Sequence, residues 1–163
     1  MVKKKIGFEL EVYQSTDELP KELVGLLEKA EEIRNKAYAP YSNFQVGAAV
    51  LLQNGEIVLG NNQENASYPS GLCAERVAIF HAGANFPNQT ITAIAISAAS
   101  KEYLVDRPAG PCGNCRQAIS EYETKQKSPI RLILRGEKGD IFVVDSMTNL
   151  LPLGFDNSFL FDS

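Results

Sequence analysis

The placing of the cysteines constrains this 163-residue chain more than any other feature. All three stand in two short segments, Cys73-Ala74-Glu75-Arg76 and Pro111-Cys112-Gly113-Asn114-Cys115-Arg116-Gln117. Each segment reads as the opening of a helix. Residues three apart share a helix face, so Cys112 and Cys115 present two thiols on one side. A helix N-terminus is the positive end of the dipole and favours the thiolate that binds metal. Pro111 suits a helix start, where its missing N–H orphans nothing. A fold that brings Cys73 to the same place must set two helix N-termini together. An odd cysteine count argues against a disulfide framework. The ordinary alternative for a free cysteine is a small buried hydrophobe.

Three thiolates form the donor set of a catalytic zinc site, which leaves the fourth position to water; a structural site is closed by four ligands. His81 lies eight residues beyond Cys73, roughly 12 Å along the same helix at 1.5 Å per residue, and reads as a histidine near a helix end. Glu75 follows Cys73 by two positions and points to another side of the helix. It is thus placed to reach a metal-bound water and shuttle its proton. Outside such a cluster it would be a first-turn glutamate complementing the dipole. Three thiolates overcompensate Zn²⁺, so positive charge is expected nearby. Arg76 is the expected thiolate hydrogen-bond donor, and Arg116 the second arginine at hand; either alone would be a surface ion pair.

Composition narrows the setting. The net charge is −4 and the pI near 5.1, with basic residues scattered. A nucleic-acid partner would call for a basic excess, so none is expected. The Lys3-Lys4-Lys5 run reads as a solvated end. No apolar run approaches a membrane span, and Glu9 and Glu11 make the N-terminal segment too polar for a signal core. A cytoplasmic protein without membrane contact is expected.

The apolar pattern predicts a half-buried or edge strand over 6–13 and a helix over 17–37, its stripe interrupted by Arg34. A strand over 45–52 turns at Asn54-Gly55 into a return strand over 56–60. A polar loop leads to a helix over about 72–82, then an interior strand over 90–98. A helix over about 112–122 and strands over 130–135 and 141–144 follow, with a short turn at 149–151. No repeat or linker divides the chain, so one domain spanning 1–163 is expected. Strands alternating with helices imply a mainly parallel or mixed sheet with helices on both faces.

The residues around the cysteines resemble the zinc-dependent cytidine deaminases of the homotetrameric three-cysteine type. Beyond the ligand segments, Pro40-Tyr41-Ser42-Asn43-Phe44-Gln45-Val46-Gly47-Ala48, Asn62-Gln63-Glu64-Asn65-Ala66-Ser67-Tyr68 and Leu150-Leu151-Pro152-Leu153-Gly154-Phe155 are similar to family segments in the same order. The likeness covers roughly 30–160 and leaves 1–29, the N-terminal strand and the start of the first helix, outside that core. It implies a three-layer α-β-α sandwich around a mixed five-stranded sheet. It implies hydrolytic deamination of cytidine and deoxycytidine with release of ammonia, in pyrimidine salvage. One zinc per subunit would be held by Cys73, Cys112 and Cys115, with Glu75 moving protons. Asn62 and Glu64 would hydrogen-bond the ribose, Phe44 would pack on the nucleoside, and Ala66 would offer a backbone contact to the base. Tyr68 and Phe155 would reach a neighbouring subunit's pocket. Asn61, Gln63, Gln45 and Asn114 depart from the family's usual residues without touching ligands, shuttle or ribose pair. Three alternatives share part of this pattern: a blasticidin-type or other small-molecule aminohydrolase, a nucleic-acid-editing deaminase, and a non-catalytic zinc module. The ribose pair disfavours the first, the acidic balance the second, and Glu75 with no evident fourth ligand the third.

Overall fold

A computed structural model describes residues 1–160. The strands are β1 (Glu11–Tyr13), β2 (Phe44–Leu52), β3 (Ile57–Asn61), β4 (Ile91–Ser100), β5 (Arg131–Arg135) and β6 (Ile141–Val144). The helices are α1 (Lys21–Arg34), α2 (Ala74–Asn85), α3 (Gly113–Gln126) and the single turn α4 (Met147–Leu150). They form one mixed sheet in the order β1-β6-β5-β4-β2-β3. Only β4 and β5 run parallel; the other neighbours are antiparallel.

Strict alternation along the strands sorts the core into two layers, because successive side chains point to opposite faces. Ala48, Val50, Leu52, Ile94, Ile96, Leu132, Leu134 and Val144 face one side, where Ala74, Ala78, Ile79 and Ala82 of α2, Ile119 of α3 and Met147 of α4 cover them. Ala49, Ala93, Ala95, Ile133, Ile141 and Val143 face the other, where Leu23, Leu26, Leu27 and Ala30 of α1 lie across them. The expected α-β-α sandwich is therefore present.

Three expectations need correction. The sheet has six strands, not five, because β1 pairs with β6 through Glu11–Val143, Val12–Phe142 and Tyr13–Ile141. The strand expected over 6–13 is confined to 11–13: its pairing with β6 stops at Glu11–Val143, one residue short of the end of β6 at Val144. The helix expected over 17–37 begins only at Lys21, after a 3-10 turn at Thr16–Glu18 and Pro20. Arg34 earns its place in the apolar stripe by crossing to β4, where it donates to the buried Ser97 hydroxyl at 2.7 Å.

One close approach seats the start of α2, and a buried carboxylate anchors the far end of α3. Gly60 of β3 lies against the first turns of α2; a Cβ there would sit 2.5 Å from the Ala78 nitrogen and 2.6 Å from the Ala74 oxygen. Only glycine lets these backbones meet without displacement. At its far end α3 is tied by Glu123, a buried carboxylate that accepts from the Ile130 and Met147 amides at 2.7 and 2.8 Å and from the Ser146 hydroxyl at 3.0 Å. Gln126 adds a two-way bond to the Ile91 backbone. Replacing Glu123 with Ala orphans two amides that the carboxylate now satisfies. A stability loss of about 3 kcal/mol or more is expected, measured by urea unfolding; a loss below about 1 kcal/mol would show the site to be merely solvated.

Candidate metal centre and cleft

Cys73 and Cys112 are the N-cap residues of α2 and α3. Both have extended backbone, and neither side chain caps its own helix, so both thiols are free to turn toward each other. Cys115 lies one turn into α3 and is fully buried. The Sγ atoms of Cys73 and Cys112 are 3.8 Å apart, those of Cys112 and Cys115 3.5 Å, and all three lie within 4.8 Å. Tetrahedral zinc with Zn–S bonds of about 2.3 Å spaces its sulfurs by about 3.8 Å, so the donor set and its spacing fit Zn²⁺. Among the described residues no histidine or carboxylate joins the cluster. His81 is exposed on α2, away from it.

The thiols compete for their protons. The Cys115 thiol, donating to Cys73, brings the Cys73 pKa down to about 5, helped by Arg76 and opposed by burial. The same contact pushes Cys115 upward. Arg76 faces both sulfurs, as expected for charge compensation, and reaches the Gly71 carbonyl at 3.5 Å. Arg116 does another job. It donates to the Pro111 carbonyl at 2.9 Å and the Leu150 carbonyl at 2.7 Å, clamping the Cys112 turn to α4. Glu75 is one of very few buried carboxyls, 5% exposed. Burial pushes its pKa up, with the neighbouring Cys73 charge adding to the shift; the Cys115 thiol, within hydrogen-bond reach, opposes it.

A cleft of about 390 Å³ opens beside Cys73 and Arg76, its far wall formed by Tyr41, Ser42, Asn62, Glu64 and Tyr68. That volume suits a small organic ligand. The structure thus brings together Cys73, Arg76, the pair Asn62 and Glu64, and Tyr68. Phe44, Ala66 and Phe155 do not line this cleft. Phe44 is half-buried at the start of β2 and Ala66 is exposed. Phe155 is exposed, stacks on Phe159 at 5.5 Å, and has its carbonyl held by Gln117.

Asn62 has a structural duty that its sequence context did not disclose. Its Oδ1 accepts from the Val46 amide at 2.8 Å and its Nδ2 donates to the Phe44 carbonyl at 2.9 Å, extending the β2 ladder. One amide hydrogen remains for a ligand. Glu64 accepts from the Tyr41 amide at 2.9 Å and the Ser42 hydroxyl at 2.5 Å. Burial pushes against it, yet these donors hold its carboxyl below the usual carboxylate range. Ser42 is therefore a cleft residue that sequence reasoning left without a role; a lone serine in a turn carries no signal of the carboxylate it will meet.

Residues 20–128 match the family model described as the cytidine and deoxycytidylate deaminase zinc-binding region. A cytidine deaminase of Halalkalibacterium halodurans is 40% identical over 130 residues, which is 80% of this chain and 91% of the relative. A cytidine deaminase of Sporosarcina psychrophila is 37% identical over 130 residues, 80% of this chain and 88% of the relative. The crystal structure of cytidine deaminase from Burkholderia pseudomallei superposes with a TM-score of 0.70 at 41% identity, covering 80% of this chain and 97% of that one.

In metal-free protein the pH dependence of thiol alkylation should show Cys73 reacting with a midpoint near 5. Cys115→Ala should raise that midpoint most and Arg76→Gln less, following the order of the two contacts; Zn²⁺ should protect all three thiols. A Cys73 midpoint near that of free cysteine, about 8.5, would contradict the arrangement.

Proposed function

This chain belongs to the cytidine and deoxycytidylate deaminase family, and from that premise we propose that it converts cytidine and deoxycytidine to uridine and deoxyuridine. One water is consumed and one ammonia released per turnover. The observation that carries this reading is the junction of two features: three thiols spaced for one zinc, and a cleft that runs from Cys73 to Glu64. We treat the whole chain as one deaminase domain with one zinc per subunit.

Cys73, Cys112 and Cys115 hold the metal in this reading. Zinc, when bound, lowers the pKa of water and so supplies a nucleophile at neutral pH. Glu75 does the proton work. Its burial keeps bulk water from levelling its proton affinity, and its raised pKa brings it toward the range useful to a general acid–base near neutrality. It takes a proton at its carboxylate, passes it to N3 of the base, and assists departure of the exocyclic amine as ammonia from C4. Arg76 offsets the surplus negative charge of three thiolates.

The sugar end follows from the opposite wall. Glu64 is held ionised and oriented by Tyr41 and Ser42, ready to accept from a ribose hydroxyl. Asn62 offers its remaining amide hydrogen. A carboxylate at that position also disfavours a phosphate, which supports a nucleoside over a nucleotide or a nucleic-acid strand. The family likeness assigns Phe44 to packing on the nucleoside and Ala66 to a backbone contact with the base, though neither lines the cleft of a single chain. Tyr68 and Phe155 are exposed aromatics, suited to completing a neighbour's pocket in a homotetramer. No helix among the described residues is long and apolar enough to cross a membrane. A cytoplasmic role in pyrimidine salvage is part of the same proposal and rests on the family likeness.

Glu75→Gln in zinc-loaded protein should retain the metal and lose turnover of cytidine by about 10²-fold or more, followed by absorbance and ammonia release. Activity within tenfold of the parent would overturn the shuttle role. Stability gives a second readout. Because the native pKa of Glu75 lies above its unfolded value, the ionised group costs stability once pH rises through the unfolded value, and that cost persists at neutral pH. Metal-free Glu75→Gln should therefore melt no lower than metal-free parent at pH 7.5, and the difference between them should shrink in acid.

A further inference from the structure

Residues 1–10 and β1 lie outside everything the metal centre uses. Residues 1–10 are exposed and carry no regular pairing, yet their pattern is a strand's. Ile6, Phe8, Leu10 and Val12 recur at every second position and remain 51, 42, 37 and 53% exposed, an unbroken apolar row. Lys3, Lys5, Gly7, Glu9 and Glu11 occupy the alternate positions, with Tyr13 closing the series and donating to Glu11 at 2.7 Å. β1 is an edge strand, with only β6 beside it. Its outer edge is open.

We propose that this edge pairs with the same edge of a second copy of the chain, antiparallel about a two-fold axis at Gly7, so that two sheets join into one. The occupant is set by charge. Antiparallel pairing of identical strands keeps the apolar row on one face only when paired residue numbers share parity. With Gly7 opposite itself, Lys5 faces Glu9 of the partner subunit and Lys3 faces Glu11 of the partner subunit, and symmetry repeats both pairs. On the opposite face Ile6 meets Phe8 of the partner subunit. Moving the register by two residues either way keeps only one kind of Lys–Glu pair. Lysines on an edge strand ordinarily ward off other chains; here their acidic counterparts, spaced as a mirror image, admit this chain in one register. Opposite charges directly across a strand pair stabilise it, and an isologous two-fold contact uses each pair twice. β1 would lengthen from its three residues toward the N-terminus, giving 6–10 the backbone partner that β6 does not supply. The joint lies at the sheet edge opposite β3, whose following loop lines the cleft, so the cleft is not involved.

The two-fold gives a direct test. A residue on the axis faces its own copy, with Cα atoms about 4.5–5.5 Å apart, inside the range of a disulfide. A Cβ at Gly7 meets nothing within 4 Å, so Gly7→Cys is tolerated by the single chain. Zinc-loaded full-length Gly7→Cys should form a covalent dimer under mild oxidation, read on a non-reducing gel, with turnover unchanged. Phe8→Cys should not, because its own copy lies diagonally at about 7–8 Å. Lys5→Glu in the Gly7→Cys background should reduce crosslinking at least tenfold, and adding Glu9→Lys should restore it. Equal crosslinking by Gly7→Cys and Phe8→Cys would reveal chance collision of loose ends. Absence of the dimer in Gly7→Cys, or indifference to Lys5→Glu, would equally overturn the proposal.

Discussion

Three sulfur atoms lie close enough to share one coordination sphere, and nearly every notable packing choice in the chain serves that closeness. Two of the sulfurs come from helix caps and the third from the next turn, so α2 and α3 have to start side by side at one end of the sheet. The sheet accomplishes this by topology: α2 follows β3 and α3 follows β4, so both helices lie on the same face. Gly60 lets α2 sit down on β3 without a side chain between them. Arg116 fixes the turn that carries Cys112, while Glu123 and Gln126 anchor the other end of α3. Metal binding rewards the assembly, because thiolate ligands released from their protons couple affinity to folding.

The same corner concentrates groups whose environments pull them apart. Glu75 is buried beside Cys73, outside the lining of the cleft, and proton-seeking, whereas Glu64, in the cleft wall, is wrapped in donors and stays ionised. Two carboxyls of one chemical type are thereby held with opposite proton affinities, as the two duties proposed for them require. Burying Glu75 works against stability, a cost that active sites commonly carry. Asn62 shows the reverse economy. By completing the β2 ladder it positions itself, so a single amide both builds the cleft wall and keeps one hydrogen spare.

Much of this was legible in the sequence because its causes are local. The alternation of apolar residues marked the strands after residue 40 to within a residue or two, and the Cys-x-Glu and Pro-Cys-x-x-Cys spacings marked two helix starts and a metal. What escaped depends on partners distant in sequence. The extent of β1 is set by how far it pairs with β6, which no residue between 6 and 13 records. Arg34 looked like a flaw in a helix stripe until Ser97, buried in β4, supplied its acceptor. Asn62 read as a ligand-facing loop residue because its bonds to β2 arise from a loop folding back on a strand 16 to 18 positions earlier. Neither Phe44 nor Phe155 lines the cleft of one chain.

The central claim is that the centre holds zinc through three thiolates and leaves one position open for a small oxygen ligand. Zinc K-edge X-ray absorption on the zinc-loaded protein tests it most directly. The account predicts three sulfur neighbours at about 2.3 Å and a single oxygen neighbour at about 2.0 Å. A shell of four sulfurs, or one containing the imidazole of His81, would mean a closed structural site and would contradict it.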